Sequence, residues 1–511
     1  MPATHASLER SAAGDHNPWI VAVIVSMATF MEVLDTSIAN VSLRHIAGNL
    51  SATADEGTWV LTSYLVSNAI ILPISGWLGT VVGRKRFYLL CVALFGASSL
   101  CCGLAPSLGW LILFRILQGL GGGGLAPSEQ SILADTFSPE QRGQAFALYG
   151  VAVVVAPTLG PTLGGWITDN YSWRWIFLIN VPVCLLSLWL AGTMLVDPPA
   201  VERDRARALS GGLKIDYLGF GLVALGLGAL QLVLDKGQED DWFASPFVLG
   251  ATLVSGLSLL ALVAWELVCP DPIIDLRLMR NRNFSSSLAV MFVTGFILIG
   301  TTQVIPRFLQ EMMGYSATQA GMALTAGGAA TLLLMPIVGG ALRKAQPKYL
   351  IALGLTIEAL ACYHLRGFNL QITFGHAAAA RVLQAVGLPF LFVPISAVAY
   401  AGLPPEKNGA ASALVNTMRN LGGSFGISIA VAILARRTQF HHGRLAEAVT
   451  PYAHSGLLTA PLSTVNGLVT RQAQMLGYVD IFWFLTLMAA AAIPVAFLLR
   501  PVKGGAAAAA A

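Results

Sequence analysis

Apolar runs long enough to cross a bilayer recur along this chain from residue 19 to residue 499. A helix needs about 20 predominantly apolar residues to span the hydrocarbon core. In lipid every backbone polar group must be satisfied within the spanning segment itself, so continuous runs of this length can only be helices. The composition agrees: 55% of residues are hydrophobic and 11% charged, against about 25% charged in a typical soluble domain. A transmembrane barrel would show short alternating segments instead. The chain therefore reads as an all-α polytopic membrane protein.

Fourteen spans are expected, at 19–40, 58–79, 87–105, 110–133, 145–168, 174–196, 215–235, 245–268, 285–308, 318–342, 348–365, 373–402, 409–435 and 478–499. Lys and Arg set the orientation. They concentrate in segments on one side, as in Arg84-Lys85-Arg86, Arg203 with Arg205, and Arg277 with Arg280 and Arg282. Both termini are then cytoplasmic. Arg115-Ile-Leu-Gln118 in the fourth span matches Arg381-Val-Leu-Gln384 in the twelfth, and the basic turn 84–86 has an echo at 343–348. Echoes at matching places imply two related halves of six helices.

The expected organisation is a cytoplasmic tail 1–18, a first half 19–196, a linker with two extra spans 197–268, a second half 285–499 and a low-complexity cytoplasmic tail 500–511. Residues 436–477 read as a polar external loop carrying His441, His442 and His454, whose irregular spacing does not suit a metal. The six cysteines all fall in or beside apolar runs and read as packing residues. No basic stripe suits nucleic acid.

Acids inside a bilayer are costly, and each is a functional-site hypothesis. Glu32 and Asp35 lie three residues apart in the first span, on one helical face. Asp35 is about 24 Å into the span and Glu32 about 20 Å at the usual helical rise; Asp35 at the external surface would simply face water. Arg115, about one and a half turns into the fourth span, must pair or reach water. It either contacts these acids and lowers their proton affinity or forms a fixed interhelical pair; Gln118 shares its face. Glu358, Arg381 and Arg419 are further intramembrane charges, with Glu358 either a second proton site or a partner for an arginine. Gly119–Gly124 contains a formal Gly-x-Gly-x-x-Gly, but it follows no strand and is not a nucleotide site. There is no Gly-x4-Gly-Lys-Ser/Thr run, so an ATP-driven pump is not expected. Nor does any nucleophile–base pair or metal cluster point to an enzyme.

Several motifs occur in order: Leu34-Asp-Thr-Ser-Ile-Ala-Asn-Val41, Gly76-Trp-Leu-Gly-Thr-Val-Val-Gly83-Arg84-Lys85, Arg115-Ile-Leu-Gln118-Gly119, Ala156-Pro157-Thr-Leu-Gly160-Pro161-Thr-Leu-Gly164-Gly165, Trp173-Arg-Trp-Ile-Phe-Leu-Ile-Asn-Val-Pro182, Leu234-Asp-Lys-Gly and Arg282-Asn-Phe284. Together they make the chain resemble the fourteen-helix drug:proton antiporters of the major facilitator superfamily, the EmrB type of inner-membrane multidrug exporter in particular.

The resemblance implies a bacterial inner-membrane exporter of hydrophobic or amphipathic drugs. It would be driven by protons and need no other cofactor. Glu32, Asp35 and Arg115 would couple the proton, with protons and substrate competing for one face. Gly76, Gly83, Arg84, Pro157, Gly160, Pro161, Gly164 and Gly165 would serve conformational change. A periplasmic adaptor and an outer-membrane channel would be partners, with the loop 436–477 as adaptor contact or as a plain linker. Thr80 stands where the family usually carries an acid, so the cytoplasmic lock must differ or be weaker. Phe30, Met31, Tyr149, Phe292 and Phe296 are candidates to line a substrate cavity. The alternatives are a dedicated exporter of a metabolite such as a fatty acid or siderophore, or a non-transporting membrane sensor. On this reading Asp35→Asn abolishes proton-coupled efflux without loss of folding.

Overall fold

A computed structural model describes residues 16–138, 141–210, 216–342, 344–449 and 461–501. The tail before residue 16, His454 and the C-terminal low-complexity run lie outside these residues. Among those described are fourteen helices long and apolar enough to cross a membrane: α1 Pro18–Leu43, α2 Asp55–Val82, α3 Arg84–Gly103, α4 Leu108–Thr136, α5 Arg142–Asn170, α6 Trp175–Met194, α7 Tyr217–Lys236, α8 Pro246–Val268, α9 Arg282–Glu311, α10 Thr318–Ala341, α11 Pro347–Leu365, α12 Phe374–Ala399, α13 Asn408–Ala448 and α14 Leu462–Ala496. Their ends are set by local chemistry. Thr53 and Glu56 form a capping box before α2, Ser316 and Gln319 form another before α10, and Asn281 caps α9. Pro18, Pro246 and Pro347 open their helices, where the missing N–H costs nothing.

The packing repeats. In the first half α1 packs on α5, α2 on α4, and α3 on α4 and α6; in the second α9 packs on α13, α10 on α12, and α11 on α12 and α14. The halves meet along two related seams, α5 with α10 and α2 with α13. The two extra helices are not equivalent. α7 packs on α2 and α13 across one seam, whereas α8 packs chiefly on the outside of α7.

Small residues let the backbones approach, as in other membrane helices. The α4 glycine run, which is not a phosphate loop, is an example. A Cβ on Gly119 would sit 2.5 Å from the Tyr64 carbonyl oxygen of α2, and one on Gly121 would sit 2.7 Å from the Phe95 nitrogen of α3. α4 is therefore wedged between α2 and α3 at backbone distance.

The expected external loop is mostly helix. α13 runs 41 residues to Ala448, about 60 Å at the helical rise, twice the hydrocarbon thickness of about 30 Å. α14 begins at Leu462. Arg437 Nε and His441 Nε2 reach Asp480 Oδ2 at 2.5 and 2.8 Å, and His442 Nε2 lies 3.0 Å from Asn466 Oδ1. These pairs join the two helices side by side. Polarity along the sequence suggested a loop; in the structure the polar residues are faces of helices that have left the apolar layer.

Gly121→Val should lower thermal stability in detergent by about 1–3 kcal/mol, the usual cost of overpacking. Gly250→Val, where an added Cβ meets nothing within 4 Å, should leave it unchanged. Equal melting of the two variants would contradict the wedge.

Candidate functional site

Arg115 of α4 and Asp35 of α1 form the polar centre of the first half. Arg115 Nη1 donates to Asp35 Oδ2 at 2.6 Å and to Gln118 Oε1 at 2.7 Å, and its Nε donates to the Val60 carbonyl at 2.9 Å. The guanidinium lies over the Tyr64 ring, 4.3 Å from the centroid. Asp35 Oδ1 also accepts from Gln118 Nε2 at 3.1 Å and Asn180 Nδ2 at 2.7 Å. Both amides donate again to Ser99 Oγ, at 3.0 and 2.9 Å. The Arg-x-Leu-Gln spacing places Arg115 and Gln118 one turn apart, so both reach the same carboxylate. Asn180 comes from the Trp173–Pro182 motif.

All of these side chains are sealed: Asp35 is 1% exposed and Arg115 0%. Asp35 is thus not at an external water face, and it does not line the central cavity. The two acids of α1, expected as a pair, have separate surroundings.

Glu32 is the member of the pair that faces the cavity. A cavity of about 210 Å³ lies between the halves, lined by Glu32, Thr36 and Asn40 of α1, Tyr64 and Asn68 of α2, Asp235 of α7, Thr302 and Gln303 of α9, and Arg419 and Asn420 of α13. Glu32 Oε1 accepts from Tyr64 Oη at 3.0 Å and Asn68 Nδ2 at 3.3 Å. Arg419 donates through Nη1 to Tyr149 Oη, which donates to Asn416 Oδ1 at 2.8 Å. Asn420 Nδ2 reaches Asn68 Oδ1 at 3.3 Å, and Asn40 Nδ2 reaches Gln303 Oε1 at 2.7 Å, so polar bonds tie the halves across the space.

α7 closes one side. Gln231 Oε1 accepts from Ser424 Oγ of α13 at 2.8 Å, Asp235 accepts from Thr62 of α2, and Lys236 donates to Thr58. Asp235 and Lys236 belong to the Leu234-Asp-Lys-Gly motif, so that motif pins an inserted helix to the cavity wall.

The aromatic and methionine candidates do not line this space. Phe30 and Met31 pack inside the first half, Phe292 packs on Phe425, Phe296 is buried in the second half, and Tyr149 stands behind the wall holding Arg419. Sequence periodicity could not tell wall from core. The polar wall residues Asn68, Gln231, Asp235, Gln303 and Asn420 were missed; their signal is polarity inside an apolar run. A buried acid in α4 was missed as well: Glu129 Oε1 accepts from Ser26 Oγ of α1 at 2.5 Å.

The cavity is shut toward the face that carries the 84–86 turn. A Cβ on Gly76 of α2 would stand 2.7 Å from the Gly409 carbonyl oxygen of α13, so only glycine allows this seal. Gly83 turns the chain with φ +98°, a backbone that favours glycine. Arg84 then pairs with Asp135 at the end of α4, and Asp135 Oδ1 accepts from Asn408 Nδ2 of α13 at 2.9 Å. Asp197 Oδ1 takes the Lys85 backbone N–H at 2.8 Å. Thr80 donates only to the Gly76 carbonyl, 3.1 Å away within its own helix. Thr80 thus supplies no acid here, and the acid that Arg84 meets is Asp135.

The glycine-proline run of α5 lies between α1 and α10. Ser37 Oγ donates to the Pro157 carbonyl at 3.0 Å, and Cβ atoms on Gly160 and Gly164 would meet Ser37 and Ile38 of α1. Gly328 and Gly321 of α10 face Thr158 and Thr162 on the other side. Pro161 and Gly165 are buried in the same helix.

The ion pair revises the expectation for Asp35→Asn. Removing one partner leaves a buried charge uncompensated, which costs on the order of 3–5 kcal/mol. Asp35→Asn should therefore melt well below wild type, and Asp35→Asn with Arg115→Gln should recover part of the loss; no recovery would argue against the pair. Asp135→Asn should loosen the seal. A cysteine at Ser131, in a protein lacking its native cysteines, should then be modified several-fold faster by a membrane-impermeant thiol reagent.

Comparison with known proteins places this arrangement. The sequence model of the Major Facilitator Superfamily matches residues 25–427. The chain is 37% identical over 463 residues to the multidrug export protein EmrB of Escherichia coli (strain K12), covering 90% of this chain and 88% of that protein. It is 35% identical over 493 residues to the fatty acid resistance protein FarB of Neisseria gonorrhoeae, covering 94% and 96%. Among solved structures the proton:xylose symporter XylE is similar in fold, with a TM-score of 0.61 at 15% identity over 96% of this chain and 97% of that one. This chain, with its two matching six-helix halves and two inserted helices, belongs to the major facilitator superfamily.

Proposed function

We propose that this protein is a proton-driven exporter of hydrophobic or amphipathic compounds, working by drug:proton antiport across the bacterial inner membrane. The face carrying the 84–86 turn is cytoplasmic, as the distribution of Lys and Arg favours. The observation that carries the reading is Glu32: a carboxyl in the wall of a cavity between two halves, with the cytoplasmic end sealed by Gly76–Gly409 and Arg84–Asp135. A site reachable from one side at a time is what alternating access requires. The printed name of the EmrB relative supports drugs as the cargo.

Glu32 does the exchange. Its carboxylate attracts a lipophilic cation in the cavity, and a proton arriving from outside neutralises it and weakens that hold. Asp235 adds a second negative wall group, and the aliphatic walls from Val33, Leu61, Leu65, Leu298 and Ile299 take the apolar body of the drug. Asp35 and Arg115 act one layer back: they hold α1 against α2, α4 and α6, so that Glu32 is presented at a fixed place. The α5 glycine-proline run supplies the sliding surface between α1 and α10.

The helical hairpin of α13 and α14 stands on the external side and is the natural contact for a periplasmic adaptor leading to an outer-membrane channel. A second reading, a dedicated exporter of an anionic metabolite, is favoured by the similarity to FarB and by Arg419 in the cavity wall. A substrate screen in proteoliposomes separates the two.

The test is purified protein in proteoliposomes under an imposed pH gradient, with a fluorescent lipophilic cation. Wild type should move the cation and Glu32→Gln should not, while keeping its fold. Cation binding should weaken as pH falls, because protons and cation compete for the wall carboxylates; in Glu32→Gln the dependence should shrink to the part that Asp235 carries. Gradient-driven transport by Glu32→Gln at the wild-type rate would overturn the assignment.

A further inference from the structure

The second half holds an Arg-x-x-Gln pair like the first, but its carboxyl is elsewhere. Arg381 Nη1 donates to Gln384 Oε1, as Arg115 does to Gln118. Gln384 Nε2 donates to Thr301 Oγ1 at 2.6 Å. On the first helix of each half the partner is Asp35 in one and Thr301 with Thr302 in the other. The third helix brings Ser99 onto the pair in one and sets Glu358 beside it in the other. The acid has changed helices between the halves, from α1 to α11.

Glu358 is 0% exposed and sits about 16 Å along α11 from Pro347. Neither of its oxygens has a well-formed hydrogen bond among the described residues, and the Gln384 amide is the donor near enough to make one. Gly387 of α12 leaves room for it: an added Cβ would be 3.0 Å from both Glu358 Cγ and Oε1. Arg381 and Gln384 of α12 are the polar groups facing it, and Cys362 lies one turn along its own helix. α14, which also packs on α11, brings apolar Ile481, Phe482 and Leu485 to this region. Arg381 does not take the carboxyl. Its Nη2 points to Thr302 Oγ1, 3.5 Å away on the cavity wall, and its Nε has no partner. An ionised carboxylate without a partner in such a place costs several kcal/mol, so this geometry is that of a neutral acid.

We propose that Glu358 is a second proton-binding site, loaded in this conformation and emptied when Arg381 turns from Gln384 and Thr302 onto its carboxylate. The proton leaves toward the cavity past Thr302, and the arginine then pairs with the carboxylate as Arg115 pairs with Asp35. The second half would thus switch between two states of an ion pair that the first half keeps closed. This rests on the proton-coupled reading of the cavity, and it gives each cycle one proton beyond that of Glu32.

Two measurements test it. Infrared pH titration of the purified protein should show the carbonyl band of a protonated carboxylic acid that Glu358→Gln lacks, at wild-type thermal stability, since Gln resembles the neutral acid. In proteoliposomes Glu358→Gln should move one proton fewer per substrate, and Glu358→Asp should restore the count. A wild-type protein that exports with the pH gradient, while Glu358→Gln keeps both the band and the proton count, would overturn the second site and leave the function of the cavity standing. If wild type shows no gradient-driven export, the function itself fails, and the infrared titration still decides whether Glu358 carries a proton. Partial unfolding of Glu358→Gln with loss of the ionised-carboxylate signal would also refute the neutral state.

Discussion

The buried pair of Arg115 and Asp35 is the contact on which the first half depends. An arginine inside a membrane bundle cannot be left alone, and this one is held by a carboxylate, an amide, a backbone carbonyl and a ring. The pair ties α1 to α4, and through Asn180 and Ser99 it ties in α6 and α3. Four helices are thereby fixed around one charge. Asp35 balances the arginine, and Glu32, three residues away, faces the cavity.

The same economy shapes the rest of the bundle. The seams between halves mix glycine and small polar residues with a few large side chains, such as Phe146 stacked on Tyr400 and Met335 against Gly150. Gly76 against Gly409, and Gly321 and Gly328 against Thr162 and Thr158, let helices meet with little to interlock. Within each half the contacts are large and apolar, as at Phe308 with Tyr478 and Phe368. The inserted helix α7 sits across one seam, bonded to α2 on one side and α13 on the other. It adds Gln231 and Asp235 to a cavity that twelve helices would leave to other side chains.

Much of this was legible in the chain. The fourteen spans follow from apolar length, because a helix in lipid has no alternative way to satisfy its backbone. The half-repeat was visible in Arg115-Ile-Leu-Gln118 and Arg381-Val-Leu-Gln384. The acids and arginines that matter were visible as charges out of place. Thr80 showed that the motif 76–85 lacks its usual acid, but nothing in the sequence marked Asp135, more than fifty residues away, as the acid that Arg84 meets. The stretch 436–477 looked like a loop because polarity was taken for irregularity; His441 and Asp480 lie far apart in the chain and become a helix-to-helix contact only when α13 and α14 continue past the membrane.

The sequence by itself determined the fold class, the number of spans, the two halves and the presence of costly charges within them, since these depend on local apolar length and on residues that hydrocarbon excludes. Only the tertiary structure decided which charges were paired. Glu32 and Asp35 share a helix face, yet one meets a cavity and the other an arginine. Arg115 closes on its acid while Arg381 leaves Glu358 alone. Helical spacing fixes the direction of a side chain about its own axis, but the partner it meets comes from another helix, and that is set by how the fourteen pack.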